Sequence, residues 1–262
     1  VRRVVIPPEF PPGDAAAWIP QPERSLGSGA RVWLVRHAEV HADWQRRAYG
    51  NLDIPLSAHG EEETRALGAA FRGEHIARVT SSSLQRALAM GRAFASSTGA
   101  ELAVDERLRE IFRGDWQGMP ADEFRRRWEA DRDAFFADPW HWKAHGGESD
   151  ADVFDRAWKA LGDALAKSPG AEIAITTHYN VIRVIVTRAL GLSPQESFAF
   201  RHDPAHAALL VDGEDGWRLA ARNVDRPDGA SLAAPGDRRP EQSDEASPER
   251  ARAIPDQRKS PT

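Results

Sequence analysis

Two arginines and two histidines carry the reactive chemistry of this sequence, and each stands where an apolar run stops. Arg36 and His37 close the run Arg31-Val32-Trp33-Leu34-Val35. Ser81 to Arg86 follow the run His75 to Thr80, and His178 follows Ala171 to Thr177. Short apolar runs of this kind read as strands covered on both faces, as in parallel sheets. Such strands present their carboxyl ends along one edge, where ligands of open α/β sheets bind. The four side chains are therefore expected to converge. Guanidinium groups grip phosphate bidentately. A neutral imidazole, with an ordinary pKa of about 6.5, is a competent nucleophile near neutral pH. Together they describe an anion site with a nucleophile inside it.

The whole chain limits what surrounds such a site. Its 262 residues allow one large α/β domain or two small ones. A net charge of −5 gives no general basic surface for nucleic acid or membrane. The absence of cysteine excludes a disulfide framework, a thiol nucleophile and a thiolate metal site. No stretch approaches eighteen apolar residues, and the N-terminus lacks an apolar signal core, so a cytoplasmic protein is expected.

The elements that must position these residues follow from periodicity. Strands are predicted at 31–35, 75–80, 101–104 and 171–177, with an edge hairpin at 207–211 and 217–221. Helices are predicted at about 58–72, from 84 to Gly99, after Pro120, at 149–168 and at 181–190. Residues 107–149, rich in tryptophan, read as an excursion from the core. A lid over about 111–148 is expected there, with Arg125-Arg126-Arg127 as a solvated helix face and Trp140 and Trp142 in core positions. Six prolines in the first 22 residues mark an N-terminal arm over 1–29, ahead of a domain over 30–224. Residues 225–262 hold six prolines and only Leu232 and Ile254 as large apolar side chains, so a disordered tail is expected.

Short blocks in a fixed order also resemble the histidine phosphatase superfamily, in its phosphoglycerate-mutase-like phosphatase branch. They are Arg36-His37-Ala38-Glu39, Tyr49-Gly50 with Asp53 to Ser57 and Gly60, and Ser81 to Ala87. Leu108-Arg109-Glu110-Ile111 with Gly114, Trp116 and Gly118, then Gly146 to Ser149, and Thr177-His178 with Ile182-Arg183 complete the set. The resemblance implies a three-layer α/β/α fold with a mostly parallel sheet and a helical lid insertion. It implies that His37 becomes phosphohistidine, that Arg36 and Arg86 hold the phosphoryl oxygens, and that His178 donates to them. Glu110 would protonate the leaving oxygen and then deprotonate water, and Arg47 and Tyr179 would meet the substrate. No metal and no cofactor are implied, because fixed guanidinium groups stabilise the charge in phosphoryl transfer.

Some positions depart from that pattern. Ala38 replaces a glycine, Tyr49 a glutamine, and Tyr179 a small residue that would leave the pocket wider. Asp43 replaces an asparagine, and its charge would repel substrate unless it points away. Ile111-Phe112-Arg113 lacks the Arg-His-Tyr run of the mutases, which favours hydrolysis. Histidine pairs four apart (His37 and His41, His141 and His145, His202 and His206) raise a metal hydrolase as an alternative. Their contexts, a strand end, no intervening Glu and Pro204, argue against it. The reading is a phosphomonoesterase for small phosphorylated metabolites, monomeric or homodimeric. The alternatives are a cofactor-dependent phosphoglycerate mutase and a non-catalytic phosphate-binding protein.

Overall fold

Strands buried on both faces build this fold. The computed structural model describes residues 29–143 and 146–229. The expected N-terminal arm, apart from Gly29, the tail from 230 onward and His145 lie outside the described residues. In chain order the elements begin with β1 (Arg31–Arg36), β2 (Arg47–Ala48), α1 (Ala58–Ala70), β3 (Ile76–Ser81), α2 (Gln85–Thr98) and β4 (Glu101–Val104). Next come β5 (Met119–Pro120), α3 (Ala121–Ala137), α4 (Asp150–Ala166), β6 (Glu172–Thr177) and α5 (Tyr179–Leu190). The set closes with α6 (Pro194–Ala199), β7 (Ala207–Gly213) and β8 (Gly216–Val224).

Six strands form one sheet in the order β4-β3-β6-β1-β7-β8. β4, β3, β6 and β1 run parallel, and β7 and β8 add an antiparallel hairpin at the edge. Side chains alternate across a strand. Val32 and Leu34 of β1 accordingly join the cluster that contains Val153 and Leu161 of α4 and Val181 and Ile185 of α5. Trp33 and Val35 join the opposite cluster with Leu67, Phe71, Met90 and Phe94 from α1, the turn after it, and α2. The sheet is therefore the middle of three layers, as expected.

Local chemistry fixes where the helices begin. Ser57 caps α1 by accepting from the Gly60 amide. Ser149 and Asp152 form a capping box at the start of α4, so two otherwise orphaned amides find partners. Within the expected lid segment, β5 pairs with β2 from earlier in the chain to form a two-stranded ribbon, and α3 follows. It carries a separate aromatic cluster of Trp116, Phe124, Trp128 and Phe135. Trp140 packs in the main core against Phe154, and Trp142 packs on Trp116. Arg125 and Arg127 face solvent, paired with Asp122 and Glu123 of their own helix. The sequence reading left α6 and the β2–β5 ribbon in loop.

Candidate active site

Three neighbouring strand ends bring the expected residues together. Arg36 of β1 stands opposite Thr177 of β6, and Ser81 of β3 opposite Thr176. The next residues continue this ladder. The His37 amide donates to the Thr177 carbonyl at 3.1 Å, and the Ser82 amide to that of Thr176 at 2.9 Å. His37 and His178 consequently face each other with ring centroids 5.2 Å apart.

His37 is set up as a neutral nucleophile. Its Nδ1 lies 2.8 Å from the Ala38 carbonyl oxygen. A carbonyl can only accept, so Nδ1 carries the proton and Nε2 keeps the lone pair. Burial pushes the His37 pKa well below its ordinary value, and the charges of Arg86 and Arg36 push it the same way. His178 is lowered likewise, first by burial and then by Arg86. Its Nε2 shares a 2.8 Å hydrogen bond with Ser82 Oγ.

Both arginines are locked by backbone oxygens. The fully buried Arg86 donates through Nη1 to Leu52 O at 2.7 Å and through Nη2 to Gly50 O at 2.9 Å. Arg36 Nη1 donates to His202 O at 2.6 Å. The Tyr49 ring lies 5.2 Å from the Arg86 guanidinium and the Tyr179 ring 5.3 Å from that of Arg36. Arg36 Nε, Arg86 Nε and His178 Nδ1 of this cluster are among the buried polar atoms without a hydrogen-bond partner among the described residues. A donor buried this way costs about 1–3 kcal/mol. An anion held by these side chains would supply the acceptors.

Glu110 is buried beside this cluster. Its carboxylate accepts from the Ile111 amide at 2.8 Å and sits 3.5 Å from the Asn180 amide, in the first turn of α5. Below it, Arg183 pairs with Asp150 at 2.6 Å and lies over the Phe198 ring. Burial works against the Arg183 charge, but Asp150 more than offsets it and raises the pKa.

Arg47 is exposed and donates across the ribbon to Gly118 O at 2.8 Å. The Tyr179 hydroxyl donates to Phe200 O at 3.3 Å. Asp43 points into solvent, its side chain 81% exposed, beside His41. His202 and His206 meet through the backbone, His202 Nε2 donating to His206 O, and burial pushes the His202 pKa down to about 3.

Sequence reasoning gave no role to Ser82, Asn180 or Arg113. Ser82 was within reach, since it sits at a predicted strand end. Nothing local marks the other two. The Arg113 guanidinium makes no hydrogen bond or ion pair with any described residue. Burial lowers its pKa, while Glu110 and Asp150 favour its charge and Arg183 opposes it.

Residues 32–225 match the family described as histidine phosphatase superfamily, branch 1. A probable phosphoglycerate mutase, GpmB, of Salmonella choleraesuis is 30% identical over 162 residues, covering 62% of this chain and 75% of the relative. A mycobacterial glucosyl-3-phosphoglycerate phosphatase superimposes with a TM-score of 0.66 at 26% identity, over 74% of this chain and 98% of that one. Bacillus stearothermophilus YhfR gives a TM-score of 0.66 at 25% identity, over 74% and 96%.

Proposed function

The chain belongs to the histidine phosphatase superfamily, branch 1, and from that membership we propose that it hydrolyses phosphomonoesters of small metabolites through a phosphohistidine. The observation that carries this reading is the set of buried donors without acceptors around a neutral His37. A phosphoryl group held there would accept from Arg36, Arg86 and His178. Ser82 donating to His178 Nε2 would leave the ring proton on Nδ1, aimed at that group.

The steps balance with residues of this chain alone. His37 Nε2 attacks phosphorus while the ester P–O bond breaks, and Glu110 gives its proton to the leaving oxygen. Water then attacks the phosphohistidine, Glu110 takes the water's proton, the P–N bond breaks, and phosphate leaves. The arginines hold the transferred charge throughout, which is the main demand of phosphoryl transfer.

A mutase reading draws on the name of the GpmB relatives. Against it, the residue after Ile111 is Phe112, 39% exposed, where the mutase pattern has a histidine. Trapping decides both points. Brief reaction with an aryl phosphate should leave an acid-labile, alkali-stable phosphate on the wild type and none on His37→Ala, and water should discharge it to inorganic phosphate. Turnover should survive exhaustive chelation. An acid-stable adduct, a labelled His37→Ala protein, or discharge only by phosphoglycerate would refute the hydrolase assignment.

A further inference from the structure

The backbone that carries Glu110 is gripped at four successive carbonyls. Arg156, two turns into α4, donates through Nη1 to Arg107 O and Arg109 O, each at 2.6 Å, and through Nη2 to Glu110 O at 3.2 Å. The fourth carbonyl, Leu108 O, accepts from Thr177 Oγ1 at 2.7 Å, on the strand that ends in His178. Arg156 is itself held by Glu148, Nε to Oε1 at 2.7 Å and Nη2 to Oε2 at 2.9 Å. The same Glu148 Oε2 accepts from the Phe112 amide at 2.9 Å. The ion pair thus pins the chain on both sides of Glu110, from 107 to 112.

From this geometry we infer that Glu148 and Arg156 are positioning residues that hold the Glu110 carboxylate against the leaving oxygen. The inference rests on the phosphatase reading for its chemistry and on the hydrogen bonds alone for its mechanics. A loop of this kind has no ladder of its own, so its carbonyls would otherwise be satisfied by water and its shape would fluctuate. Only a planar fork can serve three carbonyls and a carboxylate at once. A lysine in its place keeps the charge and loses the fork. The Arg156 charge also acts on His178, but Arg156→Lys keeps that charge, so loss of the fork should mark the step that needs a proton donor.

Two readouts test this on the full chain. The first compares turnover of an alkyl phosphate, whose alkoxide needs a proton as it leaves, with nitrophenyl phosphate, whose leaving group does not. Arg156→Lys and Glu148→Gln should lower alkyl kcat by about 10- to 100-fold, the scale of a misplaced catalytic group, with smaller losses on the aryl ester and little change in KM. Glu110→Gln sets the reference pattern, and combining it with Arg156→Lys should add little further loss. The second readout is hydrogen exchange at the Ile111 and Phe112 amides, which should speed up in both variants. Should Arg156→Lys fail to fold, Glu148→Gln carries both measurements, because it leaves the Arg156-to-carbonyl bonds available. Equal losses on the two esters, a change mainly in KM, or unaltered exchange would overturn the inference. Faster exchange in a protein whose wild type hydrolyses neither ester would instead sink the phosphatase reading and leave the grip on Glu110 standing.

Discussion

Only two tyrosines occur in the chain, Tyr49 and Tyr179, and each lies over one of the two arginines expected to hold phosphate. An aromatic face beside a guanidinium stabilises it and fixes its plane. Both tyrosines therefore line the space beside the two guanidinium groups. Arg113 offers a test of substrate discrimination. It is half-buried, with Glu110 and Asp150 favouring its charge, and its guanidinium has no hydrogen-bond partner among the described residues. A second carboxylate or phosphate on the substrate would provide one. Arg113→Ala should then raise KM about tenfold or more for a phosphoglycerate-type ester, the scale of a hydrogen bond to a charged group, and leave nitrophenyl phosphate unaffected. Equal changes on both esters would remove Arg113 from substrate recognition. No motif in the sequence singles it out, because its charged neighbours are supplied by the fold.

Among the elements, the loop from Tyr49 to Ser57 shows how a backbone can serve as a ligand. Gly50 has φ +45° and its carbonyl accepts from Arg86. A side-chain carbon there would meet Gln117 Oε1 and sit 2.8 Å from the Ile111 carbonyl oxygen. Gly60 is equally confined, since a side chain would run into the Glu39 carbonyl. The close approach explains why glycine stands at both places in the sequence. Gly50→Ala should cost about 1–2 kcal/mol for the left-handed conformation alone, and more for the overlap. The expected result is a lower Tm together with weaker binding of inorganic phosphate, because Arg86 loses its carbonyl anchor. Weaker folding with unchanged phosphate affinity would show that the loop does not hold Arg86. The ribbon that supports this loop was not legible, since two-residue strands have no periodicity to read.

At the scale of the whole molecule, the fold keeps three histidines, His37, His178 and His202, buried and neutral. All three pKa values are lowered, first by burial, and that of His202 to about 3. The unfolded chain binds their protons below about pH 6.5 while the folded protein does not. Stability is therefore full above that pH and falls as the pH drops toward the folded values. The slope should approach 1.4 kcal/mol per pH unit for each histidine, about 4 for the three. Urea midpoints between pH 7.5 and 5 would show it, and a flat profile there would mean that these histidines are not kept neutral. The sequence by itself determined the strands, since Val32 to Val35 and Ile173 to Ile175 are apolar on successive residues and only a doubly covered sheet buries both faces. It also placed Arg36, His37, Arg86 and His178 at one edge, because parallel strands share their carboxyl ends. What only the tertiary structure decided is the pairing between segments far apart in the chain. Arg156 reaches carbonyls more than forty residues away, Asp43 turns to solvent, and Tyr49 and Tyr179 come to lie over separate arginines. Local periodicity records which face a residue takes, while long-range contacts depend on how the layers pack.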